Sequence, residues 1–531
     1  MEPDHGIEMH HRSKPAEARV TGRDSNSEEE HGYKANNTET SKVPSRQLDK
    51  YINFLPAVAF SANTQASWEA LAVSFSAGLL NGGPTSLVYG TLICWTGNLA
   101  VAASMAEMAS INPTVGAQYR WAALYAPKGC GPPAFWGLIQ GWITVFGWMA
   151  VVASPAFLVG TIAQGLIILN NESYVPQNWH GTLLTWALLA IPAFCNIFAR
   201  KVLPTIEIIG GITHTLFWVV WVVVLLTMAR RSSKEYVFTE TYSGIEFGGW
   251  SSQGVSWCVG LLTAAFPLSA FDGVIHMSDE VKDAERKIPQ SMVLSVFING
   301  IQTFILVIVL LLCIGDPVAA ILTPTKYPVI EILRAATGSK AGATVLMVML
   351  SWNGLVALFS SLASVSRLTW AFARDRGLPF PDFFGRVHPT LRIPLNALCL
   401  VLTIVTLLML LNLGSTSAIY AILSLNNLAL YTSYLQIVGS FFIFKLRRGE
   451  PAWGPFTLGK WGYAINIYAI CFLVFIIVWL PFPPFLPVTA TNMNYSGPIF
   501  GLVLGVALLD WFTWGRKRFS VPTNRSVFDE Q

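Results

Sequence analysis

Long apolar runs recur along this chain at lengths that match the thickness of a lipid bilayer. A helix that crosses the hydrocarbon core needs about 20 consecutive, mainly apolar residues. The 531-residue sequence is 53% hydrophobic and only 12% charged, whereas soluble globular domains usually carry about 25% charged residues. Together these features predict an all-α membrane protein that crosses the bilayer many times.

Apolar length divides the chain into about twelve spans, which we number 1 to 12 along the chain. Residues 1–50 mix both charge signs without apolar periodicity, so we expect a disordered cytoplasmic tail there. The transmembrane domain is expected over residues 51–515, followed by a cytoplasmic C-terminal tail over 516–531. The predicted spans cover approximately residues 52–80, 84–110, 133–166, 179–199, 202–229, 254–276, 290–314, 341–372, 394–413, 417–444, 462–483 and 496–514.

The distribution of Lys and Arg predicts which side of the membrane each loop faces, because cytoplasmic loops are enriched in both residues. An even number of spans places both termini on one side, and the basic loops make that side the cytoplasm. Asn171 begins an Asn-Glu-Ser sequon in a predicted outer loop and is therefore a candidate for glycosylation. With this orientation, only six of the 34 Lys and Arg residues fall outside: Arg230, Arg231, Lys234, Lys326, Arg334 and Lys340.

Span 6 carries a carboxylate between two residues that break helices. Pro267 removes a backbone donor, and Gly273 loosens the chain directly after Asp272. Backbone groups freed at such a break are tolerated in a membrane only when they are buried in protein or face a wet cavity. An ionisable residue at that depth indicates a functional site. The alternative is a simple kink, with Asp272 paired to a neighbouring span.

Span 1 changes from apolar to polar at mid-membrane and then becomes apolar again. Interrupted segments at corresponding positions of two halves are the sequence feature that best indicates a transporter site. Spans 1 and 6 correspond if the core consists of two five-span repeats. The polar side chains of span 1 are Ser61, Asn63, Thr64, Gln65 and Ser67. The expected repeats cover roughly residues 51–230 and 250–445, and two extra helices cover roughly 460–515.

Other ionisable residues lie within apolar runs. Glu207 and His214 are seven residues apart in span 5, on one face of the helix. They fit either a proton relay or structural hydrogen bonds to neighbouring spans. Glu69 faces either a cavity or a vestibule. Glu107 lies near the inner end of span 2, where a gate or a helix-packing role is expected, and Asp510 lies near the inner end of span 12, where an interfacial position is expected.

Several motifs are similar to those of fungal permeases. The segments "NGGPTSLVYG" and "SMAEMASINPTVGAQYRWAALYAP" resemble the second span and the loop that follows it. From about Leu48 to Trp514 the chain resembles the fungal amino acid/choline transporter family, which includes choline and 4-aminobutyrate permeases, within the amino acid–polyamine–organocation superfamily. Further segments that carry the resemblance are His276–Met292, Ala371–Phe384, Gly454–Ile470 and Leu486–Gly497.

The resemblance implies a LeuT-like fold, with two inverted five-span repeats, two further spans, and spans 1 and 6 interrupted. It implies secondary active transport of choline, 4-aminobutyrate, amino acids or related amines, usually coupled to protons, with the substrate between spans 1, 3, 6 and 8. By motif position, the substrate-binding residues are Ser61, Ala62, Asn63, Thr64, Gln65, Ser67, Phe266, Ala270, Phe271 and Asp272. The candidates for proton coupling are Asp272, Glu207 and His214.

Other function classes have less support in the sequence. We find no phosphate loop, metal cluster or nucleophile elbow, so we expect no enzyme activity, metal, cofactor or nucleic-acid partner. A major-facilitator transporter would carry a long loop between spans 6 and 7, and here that loop has only about a dozen residues. A transporter of a secondary metabolite such as an alkaloid and a transporter-like nutrient sensor stay open as alternatives. The family resemblance favours the plasma membrane as the location.

Overall fold

The computed structural model describes residues 50, 52–242, 247–414 and 417–521, and helices make up most of them. Apart from Lys50, the predicted N-terminal tail falls outside this part of the chain, as do the last ten residues of the predicted C-terminal tail. The prediction of an all-α membrane protein with about twelve spans is confirmed.

Eleven helical segments of the described residues are long and apolar enough to cross a membrane. Span 1 completes the set. It consists of two shorter halves, Phe54–Gln65 and Ser67–Leu80, so neither half reaches bilayer length on its own. Spans 2 to 12 are, in order, Gly83–Ile111, Pro133–Asn170, Asn178–Phe198, Leu203–Met228, Gln253–Glu280, Ala284–Leu312, Lys340–Arg374, Leu395–Gly414, Tyr420–Arg448, Gly459–Trp479 and Ser496–Arg518.

Spans 1 and 6 are both interrupted, as predicted, and an alanine forms the sharpest turn of each break. Ala66 adopts φ 43° and ψ 51°, and Ala270 adopts φ 60° and ψ 22°. Both lie in the left-handed region that residues with a Cβ atom usually avoid. In span 6 the helix Gln253–Ala265 ends just before Pro267, since proline has no amide proton to continue the helical ladder.

The two interrupted spans run antiparallel and hydrogen-bond to each other along their length. At one end, the amide of Ile52 donates to the carbonyl of Glu280 (3.0 Å). Near the breaks, Ser61 Oγ donates to the carbonyl of Phe271 (2.8 Å). Towards the other end, Thr263 Oγ1 donates to the carbonyl of Ser74 (2.6 Å). Residue numbers rise along span 1 as they fall along span 6, so the two breaks lie side by side.

Spans 3 and 8 are the longest helices, with 38 and 35 residues, and they pack against each other beside the breaks. Span 10 also packs on span 3, which encloses the centre of the protein. The exposed faces of the outer spans carry apolar side chains. Leu216 and Val223 of span 5 and Leu502 and Leu509 of span 12 are each more than 50% exposed. Such a surface is suited to contact with lipid chains.

Candidate functional site

A cavity of about 50 Å³ lies where the breaks of spans 1 and 6 meet. Both breaks contribute to its wall, which places free backbone and polar side chains beside the space. Spans 3, 8 and 10 close the remaining sides. The lining residues are Thr64, Gln65, Ala66, Glu69, Ala70 and Val73 of span 1, Phe266, Ser269 and Ala270 of span 6, Val151, Pro155, Leu158, Val159 and Ile162 of span 3, Leu350, Gly354 and Ala357 of span 8, and Asn426 of span 10.

Glu69 is the only acidic residue among the described residues of this wall, and one of its oxygens has no partner among them. Its Oε1 atom accepts a hydrogen bond from Asn353 Nδ2 (2.8 Å) and lies 2.9 Å from His214 Nδ1. Its Oε2 atom has no partner among the described residues, although the side chain is buried. Buried polar atoms are rarely left unpaired, and such an atom beside a cavity is available to a ligand.

Gln65 provides a second free polar atom, four residues before Glu69 and on the other side of the break at Ala66. Its Oε1 atom accepts a hydrogen bond from Asn299 Nδ2 (2.7 Å), while its buried Nε2 atom has no partner in the described chain. Asn299 Oδ1 in turn lies 3.0 Å from His214 Nε2. A continuous network, Glu69–His214–Asn299–Gln65, therefore begins and ends at the cavity wall.

The hydrogen-bond partners of His214 determine where its protons lie. Its Nε2 atom is 3.0 Å from Asn299 Oδ1 and 2.8 Å from Gln302 Oε1. Amide oxygens only accept hydrogen bonds, so Nε2 carries a proton. A second proton lies between Nδ1 and Glu69 Oε1. The pair is thus either an imidazolium with a carboxylate or an imidazole with a carboxylic acid.

Asp272 does not line the cavity. It is fully buried, and its carboxylate accepts hydrogen bonds from Tyr434 OH, Gln118 Nε2 and Trp148 Nε1, the last at 3.2 Å. His276 Nε2 is a further 3.6 Å neighbour of the same carboxylate. The three donors come from span 10, from the helix Ala117–Leu124 and from span 3. The carboxylate is therefore surrounded by donors on separate elements of the fold.

Four of the ten predicted substrate-binding residues line the cavity: Thr64, Gln65, Phe266 and Ala270. The others lie at or near the breaks without lining the cavity. Ser61 Oγ bonds to the carbonyl of Phe271, as described above, and lies 2.8 Å from Ser295 Oγ. The residues outside the cavity wall are Ser61, Ala62, Asn63, Ser67, Phe271 and Asp272.

Glu207 and His214 share a face of span 5 but contact different neighbours. Asn63 Nδ2 donates to Glu207 Oε2 (2.9 Å), and Ser360 Oγ donates to Glu207 Oε1 (2.8 Å). Gly210 allows this approach, because a Cβ atom there would lie 2.7 Å from Asn63 Nδ2. In the described chain, no hydrogen bond joins Glu207 to His214. Glu207 instead ties the break of span 1 to span 8.

Two carboxylates near the membrane surface have structural partners. Glu107 accepts a hydrogen bond from the amide of Leu458 (2.8 Å) and lies 3.5 Å from Lys445 Nζ. Asp510 pairs with Arg518 (2.9 Å) at the end of span 12. These contacts agree with the packing and interfacial positions expected from the sequence.

The residues that sequence reasoning missed are the amides that orient Glu69 and Gln65. Asn299 in span 7 and Asn353 in span 8 stand within otherwise apolar runs, and Asn426 in span 10 lines the cavity. For each of these asparagines, the sequence shows a polar side chain within an apolar span, which could have indicated a functional position. Nothing in the linear sequence shows that two of these amides converge on one carboxylate–histidine network.

Comparison with known proteins identifies the family. The family model for amino acid permeases matches residues 52–505. A Macrophomina phaseolina protein named as an amino acid/polyamine transporter is 30% identical over 447 residues, which are 83% of this chain and 96% of that protein. The choline transporter of Saccharomyces cerevisiae is 30% identical over 85% of this chain and 79% of its own length. An amino-acid permease of Arabidopsis thaliana is 27% identical over 90% of this chain and 93% of its own.

The chain belongs to the amino acid permease family. It is therefore a multi-pass membrane transporter of nitrogenous solutes and not an enzyme. This membership decides against the major-facilitator alternative.

Proposed function

We propose that this permease carries an amino acid or related amine across the membrane together with a proton, by alternating access to the cavity at the two breaks. The observation that carries the proposal is the set of three unpartnered, buried polar atoms in that cavity, Glu69 Oε2, Gln65 Nε2 and Asn426 Oδ1. Half-helix ends and freed backbone groups at interrupted spans provide the remaining contacts to substrate. The predicted residues Thr64, Phe266 and Ala270 then contact the substrate directly.

Alternating access requires contacts that open and close on each side of the cavity. Arg367 Nε of span 8 donates to Oε1 of Glu280, the last residue of span 6 (2.7 Å). A second ion pair joins Arg120, which follows span 2, to Asp375, which follows span 8, at 2.7 Å. In the orientation expected from the basic loops, both pairs lie on the cytoplasmic side. Release of substrate into the cell then separates these pairs.

Asp272 is the first candidate for proton coupling. As a carboxylate it accepts hydrogen bonds from Tyr434, Gln118 and Trp148, which lie on three other elements. Protonation removes the charge and adds a donor, so the hydrogen bonds that this carboxylate accepts become weaker. A proton on Asp272 thereby favours a different arrangement of span 6 relative to spans 3 and 10. Differential stability of two conformations is what couples a proton to transport.

Glu207 and His214 remain the other candidates for proton coupling. His214 contacts the cavity carboxylate Glu69, whereas Glu207 connects spans 1 and 8. The proposal also includes a plasma-membrane location, with both termini in the cytoplasm. It places Asn171 on the outside, where its exposed side chain is accessible for glycosylation.

The experiment measures uptake of radiolabelled amino acids, 4-aminobutyrate and choline in a yeast strain that lacks its own permeases. Uptake is compared between acidic and mildly alkaline medium, for the wild type and for Asp272→Asn. We expect saturable uptake that acid stimulates, and loss of the acid stimulation in the variant. Uptake that does not depend on external pH would overturn proton symport. Absence of all uptake, with the protein shown at the cell surface, would favour the sensor or secondary-metabolite alternatives.

A further inference from the structure

We infer that Glu69 and Gln65 select a solute with one ammonium group that carries N–H bonds, an oxygen acceptor and an apolar body. That description fits amino acids with apolar side chains and excludes quaternary ammonium compounds and polyamines as preferred substrates. The inference rests on the proposed function and specifies the substrate class of the same cavity.

The contact at Glu69 favours an ammonium with N–H bonds. Its free Oε2 atom is a hydrogen-bond acceptor at the cavity wall, and Asn353 and His214 hold the other oxygen in place. A quaternary ammonium has no N–H to donate. Proteins bind such groups mainly in cages of aromatic rings. Phe266 is the only aromatic side chain in the described wall of this cavity.

Gln65 offers a hydrogen-bond donor to the cavity, whereas Glu69 offers an acceptor. Asn299 donates to Gln65 Oε1, so the amide group of Gln65 turns its Nε2 donor away from that bond, and the donor stays unpaired. An amide nitrogen only donates hydrogen bonds, so its ligand is an acceptor such as a carboxylate or carbonyl oxygen. The second half of span 1 begins at Ser67, and the free N–H groups of its first turn attract the same kind of oxygen.

The rest of the described wall provides no countercharge for a second ammonium, although Asn426 Oδ1 is an unpartnered neutral acceptor there. Glu69 is the only carboxylate in the described lining, and the surface contributed by span 3 is apolar: Val151, Pro155, Leu158, Val159 and Ile162. An unpaired ammonium buried against such side chains is strongly unfavourable. The second ammonium of a diamine therefore finds one neutral acceptor and no carboxylate to offset its desolvation, whereas a hydrocarbon side chain packs against the apolar surface.

The test measures radiolabelled leucine uptake into proteoliposomes that contain the full-length protein, with unlabelled leucine, 4-aminobutyrate, choline or putrescine as competitor. We expect leucine to compete at a concentration about tenfold or more below that needed for choline or putrescine, because one hydrogen bond to a charged group accounts for a factor of this size. This arm uses only the wild-type protein, so it does not depend on the folding of any variant.

Two variants separate recognition from general damage. Glu69→Gln removes the charge and is expected to lower leucine uptake about tenfold or more. Gln65→Glu replaces the donor with a second carboxylate and is expected to reverse the preference, so that putrescine competes better than leucine. Asp510→Asn, near the membrane surface beside Arg518, is the control and should keep the wild-type order of competitors.

The outcomes distinguish this inference from the proposed function. Competition by choline or putrescine at least as strong as that by leucine would overturn the inference and leave the transport function intact. An unchanged order of competitors in Gln65→Glu, in a variant that still transports leucine, would also overturn it. No labelled uptake of leucine, choline or putrescine in wild-type vesicles would reject the proposed function itself.

Discussion

Two carboxylate–histidine pairs lie beside the breaks of this permease, and they differ in what their oxygens contact. Asp272 stands beside His276 (3.6 Å) and accepts hydrogen bonds from three other side chains. Glu69 stands beside His214 (2.9 Å) and leaves one oxygen free at the cavity wall. The carboxylate of the first pair is occupied by protein donors, and the carboxylate of the second is open to a ligand.

The difference shows that a helix break and an exposed binding group are separate features. Pro267 marks the break in span 6, and the carboxylate after it lies in a closed polar cluster. The open carboxylate, Glu69, follows the polar run of span 1 by two residues. We therefore assign conformational coupling to the closed pair and substrate contact to the open pair, and each prediction below tests that division.

The largest expected effect is a difference in stability between two matched amide substitutions. Asp272→Asn places an NH₂ group against donors, so at least one buried donor is unpaired, which costs about 1–3 kcal/mol. Glu69→Gln keeps an oxygen for Asn353 and turns its NH₂ group toward the cavity, where Oε2 had no partner. Glu69→Gln also gives up the proton shared with His214 Nδ1, a loss of about 0.5–1.5 kcal/mol, so it should destabilise the protein less than Asp272→Asn does. Thermal unfolding of the purified proteins in detergent measures both.

Equal losses of stability in these two variants would contradict the division between a closed and an open carboxylate. Tyr434→Phe provides a further check on the closed pair. It removes one of the donors to Asp272 and leaves the carboxylate with Gln118 and Trp148. The loss of stability in Tyr434→Phe should therefore be smaller than that in Asp272→Asn.

The next effect compares the two histidines through substrate affinity. His214 contacts a carboxylate that lines the cavity, so His214→Leu releases Glu69 from one of its two supports. The KM of the preferred substrate should rise about tenfold, the equivalent of one hydrogen bond to a charged group. His276→Leu should change KM by less than about twofold, since its neighbour Asp272 does not line the cavity.

Initial uptake rates over a range of substrate concentrations give KM and the maximal rate for both variants. A rise in KM for His276→Leu equal to that for His214→Leu would show that the closed pair also contacts substrate. A fall in the maximal rate alone, at unchanged KM, would assign His214 to the conformational step and not to binding.

A smaller effect is expected where the network reaches Gln65. Asn299→Ala removes the donor that holds Gln65 Oε1, so the amide of Gln65 can rotate. Selectivity for leucine over putrescine should fall about fivefold, because one neutral hydrogen bond stabilises by about 1 kcal/mol. Competition assays in proteoliposomes measure the ratio. Gln302→Ala, which removes only a neighbour of His214, is the matched control and should keep the ratio closer to the wild-type value.

The spans and the breaks were predictable because their signals are local. About 20 apolar residues in sequence define a membrane helix, and Pro267 and the polar run of span 1 each weaken the helix in which they stand. The partners of the carboxylates were not predictable in the same way. Gln118, Trp148 and Tyr434 belong to three distant segments, and only the packing of the whole protein brings them to Asp272.

The alanines at the breaks were also beyond sequence reasoning. Glycine is the residue expected at a left-handed turn, and Gly273 was the nearest signal in span 6. The turn forms three residues earlier, at Ala270, and the polar run of span 1 turns at Ala66. Alanine occupies such positions only when the surrounding packing determines the backbone conformation.

The smallest expected effect tests whether that packing holds the break against strain. Ala66→Gly relieves a left-handed conformation that costs an L-residue about 1–2 kcal/mol, and it adds unfolded-state entropy worth about 0.4–1 kcal/mol. The free energy of unfolding should therefore rise by roughly 0.5 kcal/mol, which is measured as a small rise in the unfolding temperature. Ala62→Gly, inside the helix Phe54–Gln65, is the matched control and should lose about 1 kcal/mol. The opposite signs follow from backbone conformation alone, because both substitutions remove the same methyl group.

If Ala66→Gly destabilises as much as Ala62→Gly, the methyl group of Ala66 contributes packing that outweighs its strain, and the break beside the open carboxylate is held by contacts of that side chain.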